Sequence, residues 1–479
     1  MFNNLAGKGL ALLGLLLAFG GYMATDAFSP PAAPATAPPN ILVIVADDLG
    51  WADLNCYGNP LVESPNLDAL ARAGVQFMQG YAAAPVCSPS RASIQTGLHP
   101  ARIGMTEHLH GYYDNPAWAV KPPRIPEGLD LDYETLGELA KRAGYRTAHV
   151  GKWHLGGEGY EPARQGYERT YAGGRYGLPK SFYYPFFDGQ PFPDLLADSE
   201  EGDYLTDKLT DYAVKTVTEW KDSSWLLSLN YYAPHVPIEG RKDWVAHYRR
   251  VIDSTHYRRF PKIEYAAMVS TLDENVGRIL ATLRETGQLD NTFIVFLSDN
   301  GGLHVREVPG FDRHTPPTDN GILRAGKGYV YEGGIRVPFI VHYPPTTTSS
   351  LARTTPVTTN DIFPTVAGLL GVQANTPDGQ SLLPILAEQP FADRSLYWHF
   401  PHYSPQGGTP MAAARRGDWK LVVDYETDST RYFPLERYPD ESIGIPDEPN
   451  GAAGLRSDLV NWKVLVGARE VAPRLTTND

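Results

Sequence analysis

Continuous apolar runs along the chain predict strands that are buried on both faces of a sheet. The clearest runs cover residues 41–46, 225–230 and 291–297, and a further strand is predicted at 145–150. Between them lie stretches with helical periodicity, at residues 64–74, 136–144, 205–221 and 265–284, and another follows at 361–371. Strands that alternate with helices predict an α/β fold, with a doubly wound, mostly parallel sheet flanked by helices.

The pattern changes after about residue 385. Shorter β-like segments at 395–400, 411–415 and 419–423 predict a small antiparallel sheet. We therefore predict a large α/β domain over residues 40–385 and a small α+β domain over residues 386–479. The pattern after residue 460 leaves helix and disorder both open.

The first 39 residues predict an export signal and a linker. Lys8 precedes the short apolar run 9–19, and Ala24 and Ala27 provide small residues for cleavage. We predict a signal peptide over 1–27, a Pro/Ala-rich linker over 28–39, and a periplasmic or extracellular protein. No stable membrane anchor is expected, because the run is short for a span of about 20 residues. A retained N-terminal anchor is the alternative.

Composition narrows the classes of partner. The 479 residues carry a net charge of −13, which argues against a general nucleic-acid binder but leaves room for a locally positive site. The chain contains two cysteines, Cys56 and Cys87. In an oxidising compartment, a disulfide between them is one interpretation.

Polar residues follow the apolar runs immediately. In parallel sheets, ligands bind beyond the carboxyl ends of the strands, so these residues predict one shared site. Paired carboxylates there suit a hard cation such as Ca²⁺, although a capping or loop role for the acids is the alternative. The residues at these ends are Asp47, Asp48, Lys152, His154, His235, Asp299 and Asn300.

Two further segments carry candidate chemistry. Cys87 lies just before a predicted short helix, with Arg91 one turn further on, and the start of a helix favours anionic chemistry at Cys87. Lys327 lies between two glycines that permit close approach to a ligand, although the spacing excludes a Walker phosphate loop. A cation surrounded by Lys, His and Arg suits stabilisation of a tetrahedral oxyanion during displacement.

The amino-acid sequences of these segments resemble those of the type I, formylglycine-dependent sulfatases of the alkaline-phosphatase-like superfamily. Residues 87–91 read C-S-P-S-R, which matches the C-x-P-x-R signature of that family. Five other motifs follow the family order, at residues 47–51, 151–154, 234–237, 298–301 and 326–328. The chain is therefore identified as a member of this family, over residues 40–371.

The resemblance implies an alkaline-phosphatase-like fold and a sulfuric ester hydrolase. It also implies that a maturation enzyme oxidises Cys87 to formylglycine, which would exclude the disulfide. By position in the motifs, a Ca²⁺ ion would be held by Asp47, Asp48, Asp299, Asn300 and the modified Cys87.

The resemblance assigns roles to the remaining residues. Arg91 and His154 would orient and activate the aldehyde hydrate. Lys152, His235 and Lys327 would bind the sulfate oxygens, and His235 or Lys327 would protonate the leaving alcohol. One hydroxyl of the hydrate would attack sulfur in line, and loss of the proton from the other would expel sulfate and regenerate the aldehyde.

Three competing interpretations remain. Phosphonate or phosphate monoester hydrolases of the same superfamily tend to carry His after the second metal-binding Asp and to use a transition metal, whereas Asn300 favours oxygen ligands and sulfate. The others are an arylsulfatase of broad specificity and an exported glycan-binding protein with an unmodified site. We predict a sulfated saccharide substrate, selected by basic residues of the loop 303–324: Arg306, Arg313, His314 and Arg324.

Overall fold

An eight-stranded sheet forms the centre of the protein. The computed structural model describes residues 38–109, 114–255, 262–305, 316–345 and 351–474. The predicted signal peptide, most of the predicted linker and three residues of the predicted selectivity loop (Arg306, Arg313 and His314) lie outside the described residues.

The elements follow the predicted alternation of strands and helices. The strands are β1 (Asn40–Ala46), β2 (Val75–Phe77), β3 (Gly80–Tyr81), β4 (Val120–Lys121), β5 (Arg146–Gly151), β6 (Arg169–Tyr171), β7 (Trp225–Asn230), β8 (Thr292–Ser298), β9 (Phe339–His342), β10 (Leu351–Arg353), β11 (Val357–Thr358), β12 (Leu396–Phe400), β13 (Met411–Arg416), β14 (Trp419–Asp424), β15 (Thr430–Pro434) and β16 (Ala472–Pro473). The helices are α1 (Pro65–Ala73), α2 (Cys87–Thr96), α3 (Pro100–Ile103), α4 (Leu136–Arg142), α5 (Pro193–Ala197), α6 (Leu205–Glu219), α7 (Lys242–Thr255), α8 (Ile263–Glu285), α9 (Glu332–Ile335), α10 (Ile362–Leu370), α11 (Leu383–Leu386) and α12 (Leu455–Val466).

The central sheet has the strand order β10-β2-β9-β8-β1-β7-β5-β6. Strands β8, β1, β7, β5 and β6 are parallel to one another, whereas β9 runs antiparallel to its neighbours β8 and β2. This mostly parallel sheet confirms the predicted α/β fold class. The parallel part brings the carboxyl ends of β1, β5, β7 and β8 to one edge, where the predicted site residues follow.

Helices cover both faces of the sheet. Side chains of β1 alternate between two apolar clusters: Leu42 packs on the side of α6 and α8, and Ile41 packs on the side of α4 and α10. Every residue of β1 is buried, which explains why its sequence is continuously apolar from residue 41 to residue 46 rather than alternating. Helix α2 lies on the second side, and all its residues are buried.

A four-stranded antiparallel sheet follows the main sheet, in the order β12-β13-β14-β15. It contains the three predicted strands and β15, which the sequence analysis missed. Buried charges join it to the segment after Lys327: Lys420 of β14 lies 2.9 Å from Glu332 of α9 and 2.9 Å from Glu441. Burial raises the pKa of Glu441 to about 7, although Lys420 opposes this rise.

The tail after residue 460, for which the sequence leaves helix and disorder both open, begins inside α12 (Leu455–Val466), and the described part then continues to β16 (Ala472–Pro473). The domain limits at residues 385 and 386 stay a prediction. Within the described ranges, no helix combines the length and the apolar character that crossing a membrane requires.

Candidate active site

The carboxyl ends of four parallel strands are joined by backbone hydrogen bonds. The N–H of Asp47 donates to Ala233 O at 3.0 Å, and the N–H of Asp299 donates to Ala46 O at 3.1 Å. The N–H of Lys152 donates to Asn230 O at 2.8 Å. The residues that follow the strands are therefore fixed at one place, as the sequence analysis predicts.

Asp47 lies between Lys152 and Cys87. The Nζ of Lys152 is 2.6 Å from Asp47 Oδ2, and neither side chain is exposed. The thiol of Cys87 donates to Asp47 Oδ1 at an Sγ–O distance of 3.6 Å. Burial raises the pKa of Asp47 to about 6, with a further contribution from the nearby Asp299, although Lys152 opposes the rise. A carboxylate in this position favours additional positive charge.

Asp48 lies at the centre of a second group of polar contacts, next to those of Asp47. Its Oδ2 is 2.9 Å from Lys327 Nζ and 3.4 Å from His235 Nε2, and its Oδ1 accepts from Asn300 Nδ2 at 2.7 Å. Burial opposes ionisation, but His235 and Lys327 outweigh it and lower the pKa of Asp48 to about 2. The φ of Asp48 is 61°, a left-handed conformation that Asp tolerates better than most residues.

His235 lies in a loop between two prolines, and its tautomer follows from its contacts. Nδ1 lies 2.9 Å from the carbonyl oxygen of Val236, so Nδ1 carries the hydrogen. Nε2 therefore accepts from Lys327 Nζ at 2.8 Å. The peptide bonds before Pro234 and Pro237 are both cis. His235 and Lys327 are thus hydrogen-bonded to each other beside Asp48.

Arg91 connects α2 to two strand ends. Its Nε and Nη2 are 2.9 and 2.8 Å from Asp299 Oδ2, and its Nη1 donates to Lys152 O at 3.0 Å. The residue is 2% exposed. A buried guanidinium with these partners fixes the start of α2, and with it Cys87, against β5 and β8.

The environment of Cys87 corrects one prediction. Burial raises the pKa of the Cys87 thiol well above its usual range, and the nearby Lys152 and Lys327 lower it less. The helix start therefore does not make the unmodified thiol anionic, because removal from water outweighs the neighbouring charges. The interpretation as a Cys56–Cys87 disulfide is wrong as well, since both cysteines are free.

His154 follows β5 with a φ of 55° and is 5% exposed. Burial, and then the charge of Lys152, holds the pKa of His154 well below its usual range, so the ring is neutral. Its Nδ1 is buried without a hydrogen-bond partner among the described residues. A neutral imidazole with an unpaired nitrogen suits hydrogen bonding to a polar group that enters the site.

The donor set fits a calcium ion. Ligand atoms of Asp47, Asp48, Cys87 and His235 lie within 4.8 Å of one another. The Oδ1 of Asn300 is buried in the same place and has no hydrogen-bond partner in the described structure. Carboxylate and amide oxygens are the ligands that Ca²⁺ prefers, and an unpaired buried oxygen is costly without a partner.

Of the four basic residues predicted to select the substrate in loop 303–324, Arg324 is the one within the described residues. Its guanidinium lies 3.8 Å from the ring centroid of Tyr331, and Nη1 donates to Glu441 O at 3.2 Å. These contacts place Arg324 against the small sheet. Its role, and those of Arg306, Arg313 and His314, stay predictions.

Comparison with known proteins shows which family the chain belongs to. The family model described as Sulfatase matches residues 39–372. The chain belongs to the sulfatase family. A second model, the C-terminal part of N-sulphoglucosamine sulphohydrolase, matches residues 325–461. The enzyme is thus a sulfatase of the alkaline-phosphatase-like superfamily, and it hydrolyses sulfate esters.

Relatives of this sulfatase act on different alcohols, as their names state. It is 32% identical to mouse steryl-sulfatase, over 78% of this chain and 68% of the relative. It is 31% identical to human N-acetylgalactosamine-6-sulfatase, over 79% of this chain and 70% of the relative. The crystal structure of Ps i-CgsB in complex with k-i-k-neocarrahexaose has a TM-score of 0.72 and 27% identity, and covers 89% of this chain and 93% of that one.

Proposed function

We propose that the enzyme removes sulfate from a sulfated saccharide, with position 87 as the nucleophile and calcium beside it. The observation that carries this proposal is the convergence of Cys87 with Asp47, Asp48 and three buried cations. Saccharide ligands and substrates in the names of similar proteins support the substrate class. The positive charges of the buried side chains suit a tetrahedral oxyanion such as a sulfate ester, because preorganised cations stabilise the negative charge that develops during displacement.

Each side chain around position 87 has its own role in the proposed reaction. Calcium would supply positive charge beside the sulfate oxygens. The maturation enzyme would oxidise Cys87 to the aldehyde formylglycine, and addition of water to that aldehyde would supply the attacking hydroxyl. Lys152 and Lys327 bind sulfate oxygens from two sides. His235 receives a proton from, or passes one to, Lys327, and the pair protonates the leaving alcohol. Arg91 orients position 87, and neutral His154 accepts a hydrogen bond there.

A panel of esters tests the function. We expect the enzyme to release sulfate from k-i-k-neocarrahexaose or N-acetylgalactosamine 6-sulfate and from 4-nitrophenyl sulfate. We expect slower release of phosphate from 4-nitrophenyl phosphate, because the oxygen-rich site suits a hard cation and sulfate. Ion chromatography measures both anions. Faster release of phosphate than of sulfate would favour the phosphatase alternative.

Calcium binding has a readout that does not depend on activity. A ligand at 100 times its Kd raises the free energy of unfolding by about 2.7 kcal/mol, so excess Ca²⁺ is expected to raise the thermal midpoint of the chelated enzyme. Asn300→Ala removes an oxygen from the site and is expected to reduce this shift.

Asn291 offers the matched control for Asn300. It precedes β8 as Asn300 follows it, and its Oδ1 is also buried without a partner in the described structure. Asn291→Ala is expected to keep the full calcium-dependent shift. Equal shifts in wild type and Asn300→Ala would argue against Asn300 as a ligand.

We also propose that the enzyme is exported and that a formylglycine-generating maturation enzyme acts on it. The apolar run at residues 9–19 supports export. The Cys-x-Pro-x-Arg motif at residues 87–91 supports recognition by the maturation enzyme.

A further inference from the structure

A buried glutamate and the histidine beside it lie next to the site, in the segment that follows α3. Glu107 is 1% exposed. Its Oε1 accepts hydrogen bonds from the backbone N–H and the Nδ1 of His108, at 2.8 and 2.6 Å. The next residue, Leu109, donates its N–H to the hydroxyl of Ser88 at 3.0 Å. The segment is therefore attached to the residue that follows Cys87.

The ring of His108 is accessible and lies near the buried cluster. Its side chain is 31% exposed, whereas that of Glu107 is 2% exposed. His108 precedes Leu109, whose N–H is bonded to Ser88, so the partly exposed ring belongs to a segment attached to the start of α2 beside Cys87.

The surroundings of His108 are polar. The Oγ1 of Thr106 lies 2.8 Å from His402 Nε2. The loop that starts at His402 continues to Ser404, which lies so close to Gly328 that a Cβ there has no room. This loop therefore connects the segment of His108 with Gly328, the neighbour of Lys327.

The contact with Glu107 fixes what His108 presents to a ligand. A carboxylate oxygen only accepts, so the hydrogen in this contact is on Nδ1 of the imidazole. In the neutral ring, Nε2 then carries a lone pair and accepts hydrogen bonds. Nε2 has no partner among the described residues. A hydroxyl group is a donor that fits the accepting Nε2 of His108.

We propose that His108, held by Glu107, is a specificity-determining residue that accepts a hydrogen bond from a hydroxyl of the alcohol part of the substrate. The inference rests on the proposed function and deepens it. A pyranose ring carries hydroxyls on carbons near its sulfate ester. A sulfated phenol or sterol has no hydroxyl next to the ester, because its own hydroxyl is the one esterified. His108 thereby favours saccharides over the aryl and steryl esters.

The test compares kcat/KM for two probes, 4-nitrophenyl sulfate and the better saccharide substrate of the panel above. In His108→Ala, we expect the ratio of saccharide to aryl kcat/KM to fall about tenfold, since a lost hydrogen bond costs about 1 kcal/mol and 1.4 kcal/mol is tenfold. The loss should appear mainly as a raised KM for the saccharide, because the hydroxyl contact exists before and during the reaction.

Two variants separate this role from a structural one. His108→Gln places an amide oxygen in the same region and is expected to restore part of the saccharide preference. The control is His247→Ala, because His247 of α7 forms a similar surface pair, with Nε2 2.6 Å from Glu63. His247→Ala is expected to leave the ratio of the two kcat/KM values unchanged.

The outcomes distinguish this inference from the proposed function. If the matured wild-type enzyme releases no sulfate from any probe, the proposed function fails and the inference with it. If wild type is active and His108→Ala lowers both kcat/KM values equally, or neither, the inference is wrong while the proposed function stands. A selective loss for the saccharide, with partial recovery in His108→Gln, supports the inference.

Discussion

Cys87→Ala is expected to abolish sulfate release, with kcat falling by at least about 10⁴-fold, because it removes the nucleophile while the charges around it remain. The fold should survive. Only one sulfur atom is lost from α2, and most single substitutions cost about 0.5–3 kcal/mol. Initial rates on 4-nitrophenyl sulfate measure the first effect, and urea unfolding measures the second.

The chain contains the matched control, since Cys56 is its other cysteine. Cys56 is half-buried, and its N–H donates to Asp68 at 2.9 Å, outside the cluster at the strand ends. Cys56→Ala is expected to keep kcat. In the active wild-type enzyme, mass spectrometry of the peptide that contains Cys87 should show the thiol converted to an aldehyde. A fully active enzyme with an unmodified thiol would contradict the proposed nucleophile.

Lys152→Met is expected to damage both stability and catalysis. It leaves the carboxylate of Asp47 buried without its 2.6 Å partner, and breaking a buried pair in this way costs about 3–5 kcal/mol. Loss of one preorganised charge at the sulfate position should lower kcat by about 10²–10³-fold. Urea unfolding in calcium-free buffer and initial rates in excess calcium measure the two effects separately.

Two further variants separate the contributions of Lys152. Asp47→Leu combined with Lys152→Met removes both charges and is expected to regain much of the stability while activity stays lost. Lys420→Met breaks another fully buried lysine pair, outside the strand ends. It is expected to destabilise the fold similarly but to lower kcat less than tenfold. An equal kcat loss in Lys420→Met and Lys152→Met would mean that the effect of Lys152 is only structural.

The strands of the parallel half of the sheet could be predicted because their sequence reflects their burial. β1 and β8 each contain a continuous apolar run, at residues 41–46 and 293–297, and each is followed by oxygen-bearing side chains and then glycine. The convergence of those side chains then follows from strand direction alone. Cys87 and Lys327, which no strand end carries, are indicated by a helix start and by flanking glycines, and the family resemblance implies their roles.

The other half of the architecture could not be predicted in this way. β9 is a four-residue strand that pairs antiparallel with β8, and nothing local in its sequence specifies a partner or a direction. The pair Glu107 and His108 was missed for a related reason: two adjacent polar residues match no motif, and their role depends on contacts with α2. The bond between Lys420 and Glu332 spans 88 positions of the chain and has no periodic signal.

The complete burial of α2 has a consequence for when Cys87 could be modified relative to folding. Cys87 is 2% exposed, and the residues after it are packed between sheet and helices. Under the proposed function, a second enzyme would need access to that side chain before the sheet forms around it, so the proposed conversion of Cys87 would take place on the nascent or unfolded chain. Folding and maturation would then compete in time, and a molecule that folds first would lack the proposed nucleophile. The yield of active enzyme would then be set by how fast the chain folds relative to how fast it is modified.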